Sequence, residues 1–215
     1  MAGSAGRCVA VLGCGTVDVA AFTRNLGAAL VQEGRNVVLL DDRSDSPAEC
    51  QRGDGHVVLI RAALGANGAL SARAVQADHI LVVVQAHAAS IKASYACIKG
   101  LCGNHMLRRL RVLVEEASDA SDAQRILANL ADAGRRYLSL ALDPAGWVRA
   151  DPHLARSVRL NVTVVDAFRD SPAAMDYRQV ACGLLRWPTV DTAVGGNMPA
   201  LPQAVLATPR ECALH

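Results

Sequence analysis

Residues 7–42 read RCVAVLGCGTVDVAAFTRNLGAALVQEGRNVVLLDD. An apolar run, a glycine-rich turn, an amphipathic stretch, a second apolar run and an acidic residue follow one another. That order predicts strand, turn, helix, strand, the nucleotide-binding start of an α/β domain. The glycines Gly13 and Gly15 supply the turn, yet no lysine follows them and no Ser or Thr follows a lysine. The framework is that of a nucleotide site, and the side chains are not those of a catalyst.

Further apolar runs recur at regular intervals. Cys8–Leu12, Val37–Leu40, His56–Ile60, Ile80–Val84, Leu110–Val114 and Tyr137–Leu142 read as buried strands. Helical patterns lie between most of them. Phe22, Leu26 and Leu30 share one face of the first helix, which Gly34 stops. A second helix runs from about Ser90 to Leu101 and ends near Gly103. A third starts at Ser121, which with Gln124 reads as an S-x-x-Q capping box, and closes at Gly134. Two more segments, roughly Pro152–Arg159 and Pro172–Arg186, complete the pattern. Strands alternating with helices predict a doubly wound, mostly parallel sheet flanked by helices. The domain is expected over 7–188, with 189–215 a flexible tail carrying Gly195, Gly196, Pro199, Pro202 and Pro209.

Composition agrees with that architecture. Apolar residues make up 52% of the 215 but aromatic residues only 3%, so Ala, Val and Leu must build the core. A net charge of +2 requires neither nucleic acid nor an anionic membrane as partner. The run Arg108, Arg109 and Arg111 reads as a solvated strand edge. No stretch is long and apolar enough to span a membrane, and MAGSAGR at the start lacks a signal peptide's apolar core, which leads to the expectation of a cytoplasmic protein. The seven cysteines (Cys8, Cys14, Cys50, Cys97, Cys102, Cys182 and Cys212) form no C-x-x-C pair and read as reduced thiols. The histidines His56, His79, His87, His105, His153 and His215 have no metal-ligand spacing, so no metal site is expected. No triad order or G-x-S-x-G stands out either, and no catalytic residue is assigned.

The glycine loop admits two readings. As a dinucleotide turn, Gly13 and Gly15 follow a strand and Asp41 ends the next one where a ribose-binding acid would sit. The third glycine position is then Asp18, whose carboxylate at a helix N-terminus would repel a pyrophosphate. As a phosphate cradle, the same segment resembles the start of the MinD/ParA-type ATPases, with their K-G-G-x-G-K-[ST], N-L-A-x-x-L and V-L-L-D-x-D pattern. Later segments resemble the flagellar-number regulators of that family, called FlhG or FleN. QADHILVVVQAHAASIKASYACIKGL matches their P-T-S-I segment at Ser90, Ile91, Tyr95, Ala96, Ile98, Lys99 and Leu101. RRLRVLVEEASDASDAQRILANL and YLSLALDPAGWV follow their next strand–helix–strand, and from Gly146 the likeness continues without a gap into the terminal helices. It covers about residues 7–188. Tyr95 and Lys99, one helical turn apart, suit a partner surface or simple packing.

The resemblance places a vestigial nucleotide site at Gly13, Cys14, Gly15, Asp18, Val19, Ala20, Asp41, Arg43 and Arg61. The signature lysine falls on Cys14, the phosphate-binding lysine on Val19 and the magnesium-binding hydroxyl on Ala20. One loop glycine is Asp18, and the loop is one residue short. Of V-L-L-D-x-D, Asp41 stays and the second acid is Arg43. The D-T-x-x-G segment reads RAALG, with Arg61 for its acid and Gly65 kept. Phosphoryl transfer needs the lysine, the metal and a carboxylate to hold it. Each lost charge-assisted contact forfeits ~1.5–3 kcal/mol, and a micromolar nucleotide binds with only about 8 kcal/mol. A P-loop NTPase-like, truncated pseudo-ATPase follows, taking no cofactor, or ATP only if the degenerate site still binds it. Asp18, Asp41 or Asp42 paired with Arg43 or Arg61 would close the pocket on itself; ordinary surface charges, or a second anion on the two arginines, are the other readings.

Only a dozen residues separate Asp42 from Gly55, where the family has a helix–strand–helix block of its dimer face. No amphipathic membrane anchor is visible near the prolines of the tail. By resemblance, the partners are an SRP-type flagellar GTPase, a flagellar transcriptional activator or a MinD-like paralogue, and the role is regulation of flagellar number or flagellar gene expression. The rivals are a working ATP-dependent switch and an NAD-binding oxidoreductase.

Overall fold

A computed structural model describes residues 6–42, 55–105, 107 and 109–188. Strand β1 (Arg7–Gly13) leads through the glycine loop into helix α1 (Val19–Gln32) and strand β2 (Asn36–Asp41). Strand β3 (His56–Ala62), a single turn α2 (Ala72–Val75), strand β4 (His79–Gln85) and helix α3 (Ala88–His105) follow. Strand β5 (Arg109–Ala117), helix α4 (Ala120–Ala133), a π-helical turn (Gly134–Leu138) and strand β6 (Ala141–Arg149) come next. Helices α5 (Pro152–Arg159), α6 (Val164–Ala167) and α7 (Pro172–Leu184) end the described chain.

The six strands form one sheet in the order β2-β3-β1-β4-β5-β6, every pair parallel. The strand order reverses direction around β1, so the loops leaving its carboxyl end open a crevice there. Alternation along β1 divides the core. Val9 and Val11 point to a layer with Phe22, Leu26, Leu30, Tyr177 and Leu184, while Ala10 and Leu12 point to one with Val82, Ile98, Leu101, Ile126 and Leu130. Both faces are covered by helices, which is why the strands read as continuous apolar runs rather than as alternations.

The expected strands β1 to β5 lie where the sequence places them. The sixth does not: Tyr137 and Leu138 belong to the π-helical turn, and the strand runs over Ala141–Arg149. The alternating Leu138, Leu140 and Leu142 mimic a strand period. Gly134 closes α4 as expected, being its C-cap, but with a helical φ of −57° the backbone runs on from it into the wider turn. A Cβ at Gly134 would lie 3.1 Å from Leu142 Cδ1 and 3.2 Å from the Leu140 carbonyl oxygen, so the bare backbone there lets the turn pass close over β6. Strand β6 accepts Pro144 because it is an edge strand, and it absorbs Ala145 as a bulge between the pairs Val112–Pro144 and Leu113–Gly146.

Other boundaries move for local reasons. Helix α4 starts two residues early, because Asp119 rather than Ser121 caps it, its carboxylate accepting from Asp122 N at 2.8 Å. Helix α3 runs past Gly103 to His105, whose Nε2 accepts from Leu70 N at 2.8 Å. Helix α7 stops at Leu184, where the buried Arg7 donates Nη1 to the Leu184 carbonyl. The expected flexible tail 189–215, Cys50, Cys212, His215 and Arg43 lie outside the described residues.

One buried amide ties the carboxyl-terminal helices to α1. Asn25 is 4% exposed, and its Oδ1 accepts from Val164 N, the first residue of α6, at 2.8 Å. Asn25→Ala leaves that N–H buried without a partner. The expected cost is ~1–3 kcal/mol with an unchanged m-value, read by urea unfolding of the two proteins.

Candidate functional site

The glycine loop lies at the carboxyl end of β1, and its shape follows from what packs around it. A Cβ at Gly13 would sit 2.3 Å from Val19 Cγ2 and 2.9 Å from Val17 Cβ, so only glycine admits these two valines. Gly15 has φ +74°, a left-handed conformation natural to glycine. A Cβ there would lie 3.5 Å from Ser90 Cα and 3.6 Å from Ala93 Cβ, so α3 packs closely under the loop.

Hydrogen bonds strap the loop to the turn between β4 and α3. Ser90 Oγ donates to the Cys14 carbonyl at 3.3 Å and accepts from Gln85 N at 3.0 Å. Thr16 Oγ1 donates to Gln85 Oε1 at 2.6 Å, with His87 Nε2 3.2 Å from the same oxygen. Ser90 N donates to His87 Nδ1 at 3.2 Å, which makes Nε2 the N–H of the neutral ring.

Asp18 closes the loop. It is the N-cap of α1, and its Oδ1 accepts from Ala21 N at 2.9 Å. A carboxylate of the chain therefore occupies the positive end of the helix, where bound phosphate would find its N–H donors. Val19 and Ala20 open the helix, half-buried and without a polar side-chain atom.

Across the crevice, Asp41 and Arg61 are register neighbours on β2 and β3, and Arg61 Nη2 donates to Asp41 Oδ2 at 2.8 Å. The expected pairing of an acid with Arg61 is thus present. Both side chains are about a third or more exposed, 34% for Arg61 and 40% for Asp41, so the pair contributes only ~0–1 kcal/mol. Asp42 accepts from Ser71 Oγ and its backbone N donates to the Arg61 carbonyl at 3.2 Å. Asp18 caps the helix instead of pairing with Arg61, and the proposed role of Arg43 lies outside the described residues.

A third acid was not foreseen. Glu115, on β5, is 8% exposed, and Tyr177 of α7 donates its hydroxyl to Glu115 Oε1 at 2.7 Å. Burial pushes the Glu115 carboxyl up to about 7 against the lowering effect of the tyrosine, with Glu116 and Asp18 adding repulsion. The charged residue inside the apolar run Leu110–Ala117 was the one sequence signal for it; its partner 62 residues away was not readable.

The remaining polar candidates are spent on structure. His79 Nε2 is 2.9 Å from the Pro188 carbonyl and its ring meets Trp187 edge-on, while His153 Nδ1 is 2.8 Å from Asp151 Oδ1. Arg109 lies 3.5 Å from Asp143 and Arg111 stacks on Trp187 at 4.2 Å, so these two of the basic run serve their own strand, while Arg108 lies outside the described residues. Tyr95 is half-buried and Lys99 exposed on α3. Among the described residues no group of three His, Cys, Asp or Glu could hold a metal, and no helix is long and apolar enough to cross a membrane.

A parallel sheet of this order with a glycine loop between β1 and α1 defines a doubly wound α/β protein of the P-loop NTPase type. The solved structures agree on the fold. MinD cell division protein of Aquifex aeolicus superposes with a TM-score of 0.58 at 17% identity, over 85% of this chain and 99% of that one. The A. aeolicus MinC:MinD cell division protein complex gives 0.60 at 18% identity, over 85% and 97%. The cell division ATPase MinD of Pyrococcus furiosus gives 0.57 at 13% identity, over 83% and 98%. No protein-family model matches the chain. Among curated proteins, the antiactivator FleN of Pseudomonas aeruginosa is 29% identical over 132 residues, 61% of this chain and 47% of that protein. The match thus spans about half the length of its curated relative. The chain is thus similar in fold to the MinD proteins and, over part of its length, in sequence to the antiactivator FleN.

Glu115 gives the site a pH signature. A carboxyl whose pKa is raised in the fold, from the ordinary 4.5 to about 7, is fully compatible with folding below about pH 4.5, and its contribution falls as pH rises to about 7. Glu115→Gln keeps the acceptor for Tyr177 and removes the charge. Against the wild type it is expected to gain stability between pH 4.5 and 7, reaching on the order of 3 kcal/mol at pH 8. A wild-type-minus-variant difference that stays flat from pH 4.5 to 8 in denaturant unfolding would contradict this.

Proposed function

We propose that this protein is a catalytically inactive member of the FlhG/FleN branch that regulates flagellar number or flagellar gene expression through protein–protein contacts. One observation carries the reading: Asp18 places its own carboxylate on the N-terminal amides of α1, where a phosphate would have to bind. A nucleotide would need to displace that carboxylate, and it would meet Val19 and Ala20 in place of a lysine and a metal-binding hydroxyl. Among the described residues, the arginine on that side is Arg61, which Asp41 engages.

The retained frame supports the protein-contact half of the reading. The six-stranded sheet and its two apolar layers keep the frame on which a MinD-like protein presents its surface to others. Expected partners are an SRP-type flagellar GTPase, a flagellar transcriptional activator or a MinD-like paralogue, met in the cytoplasm, with no cofactor, no stable membrane anchor and no specific nucleic acid. The reading as an ATP-dependent switch has one observation in its favour, since the buried Nε of Arg61 has no hydrogen-bond partner and points to spare donor capacity in the crevice. An NAD-binding oxidoreductase would need Asp41 for the ribose, and Arg61 competes for it.

Calorimetric titration with ATP, ADP and NAD, with and without magnesium, separates these. No heat at millimolar nucleotide is the expected result, and micromolar ATP binding would overturn it. The titration is then repeated with the purified flagellar activator and GTPase, where saturable binding that is indifferent to ATP is expected. Arg61→Ala supplies a second check. It is expected to change unfolding stability by less than about 1 kcal/mol and leave the partner affinity unchanged, whereas an ATP-binding role for Arg61 predicts a loss of nucleotide heat.

A further inference from the structure

Cys14 sits in the glycine loop, 4% exposed, and helix α3 passes beneath it. The contact is made by one face of α3. Ser90 bonds the Cys14 carbonyl, and Ala93 faces Gly15. Ser94 Oγ returns to the Ser90 carbonyl at 2.7 Å, and Cys97 lies one further turn along the same face. Cys14 and Cys97 pack in the same apolar layer, Cys14 buried and Cys97 half-exposed, and neither is in a disulfide. The side chains of Cys14 and Cys97 interact, each being the largest influence on the other's thiol. We propose that Cys14 and Cys97 form a peroxide-responsive thiol pair, whose oxidation to a disulfide fastens the glycine loop covalently to α3.

The geometry fits such a bond better than a chance encounter of cysteines would. The backbones on both sides are held, the loop by the Ser90 hydroxyl on the Cys14 carbonyl and the helix by its own ladder. The interaction with Cys97 favours the thiolate of Cys14 and outweighs the opposing effect of burial, with Ser94 assisting, while the thiol of Cys97 is pushed far up by the same interaction and by burial. That difference assigns the roles. The Cys14 sulfur attacks one oxygen of hydrogen peroxide, the O–O bond breaks, and the departing hydroxide takes a proton to leave as water. The resulting sulfenic acid is attacked by the Cys97 sulfur. The S–S bond forms, the S–O bond breaks, and the oxygen leaves as a second water carrying the Cys97 proton. Two thiols lose two electrons and one peroxide becomes two waters. The half-exposed side of Cys97 gives the small oxidant its entry.

This inference goes beyond the proposed function and holds whether or not the crevice takes nucleotide. The test uses the full-length protein, treated with a few equivalents of hydrogen peroxide, alkylated, digested with trypsin and mapped by mass spectrometry. The expected product joins peptide 8–24 to peptide 93–99 with the loss of two hydrogens, and dithiothreitol separates them. Because peptide 8–24 also contains Cys8, Cys8→Ser is expected to retain the cross-link, while Cys14→Ser and Cys97→Ser each lose it. Should Cys14→Ser fail to fold, Cys97→Ser, on the half-exposed side of the pair, decides together with fragmentation of the wild-type cross-link. The proposal is overturned if Cys97 ends as a sulfinic acid, joins a different cysteine, or stays reduced while Cys102 or Cys182 is oxidised.

Discussion

The carboxylate of Asp18 on the first turn of α1 is the constraint around which the rest of the site is arranged. A helix N-terminus leaves N–H groups unsatisfied, and something must accept from them. In a nucleotide-loaded relative of this fold that acceptor can come from the ligand. Here it comes from the residue that begins the helix, and it is covalently present at all times. Beside Asp18, Val17 and Val19 fold over the loop, and Gly13 has to be glycine because both valines crowd its α-carbon. The Thr16–Gln85–His87 contacts then hold the loop's outer edge against the next strand.

A second arrangement extends from the loop into the core. Asn25 of α1, Tyr177 of α7 and Glu115 of β5 come from three distant parts of the chain and meet in one buried polar group. Such groups are stabilising only when each member is satisfied, and here each has a partner. The tyrosine hydroxyl, driven well above its ordinary range by burial and by the neighbouring carboxylate, stays a donor at any physiological pH. Glu115 therefore holds the one proton in the group that can leave near neutrality, and it does so a short way from the Asp18 carboxylate that repels its charge.

What the sequence disclosed follows from the range of the interactions involved. Strands β1 to β5 were legible because burial on both faces makes them unbroken apolar runs. Strand β6 was not, because Pro144, Ala145 and Gly146 interrupt the run, and only its position at the sheet's edge with a bulge makes that interruption harmless. Helices α2 and α6 have four residues each, too few for a helical period to be read. At the site, Asp18, Val19 and Ala20 could be placed by their offset from the glycines. The Asp41–Arg61 pair could be anticipated as a charge balance, with its geometry fixed only by the β2–β3 register. Contacts across the chain, such as Glu115 with Tyr177 and Cys14 with Cys97, depend on which helix lies over which strand end, and no local pattern encodes that.

The energetics show why a protein can lose a ligand and keep the ligand's fold. A ligand present at a hundred times its dissociation constant stabilises the folded state by about 2.7 kcal/mol. An N-cap carboxylate is worth ~1 kcal/mol, a half-exposed ion pair such as Arg61–Asp41 ~0–1, and a hydrogen bond such as Thr16–Gln85 ~1. Together these amount to about the same quantity, supplied by side chains that need not be bound from solution. The difference is in dependence rather than in magnitude. Stability drawn from nucleotide rises and falls with its concentration and its hydrolysis, which is what makes such a fold a switch. Stability drawn from Asp18, Arg61 and Thr16 does not vary with the concentration of any ligand. Any signal this protein carries must then enter through its surface or through chemistry at its own side chains.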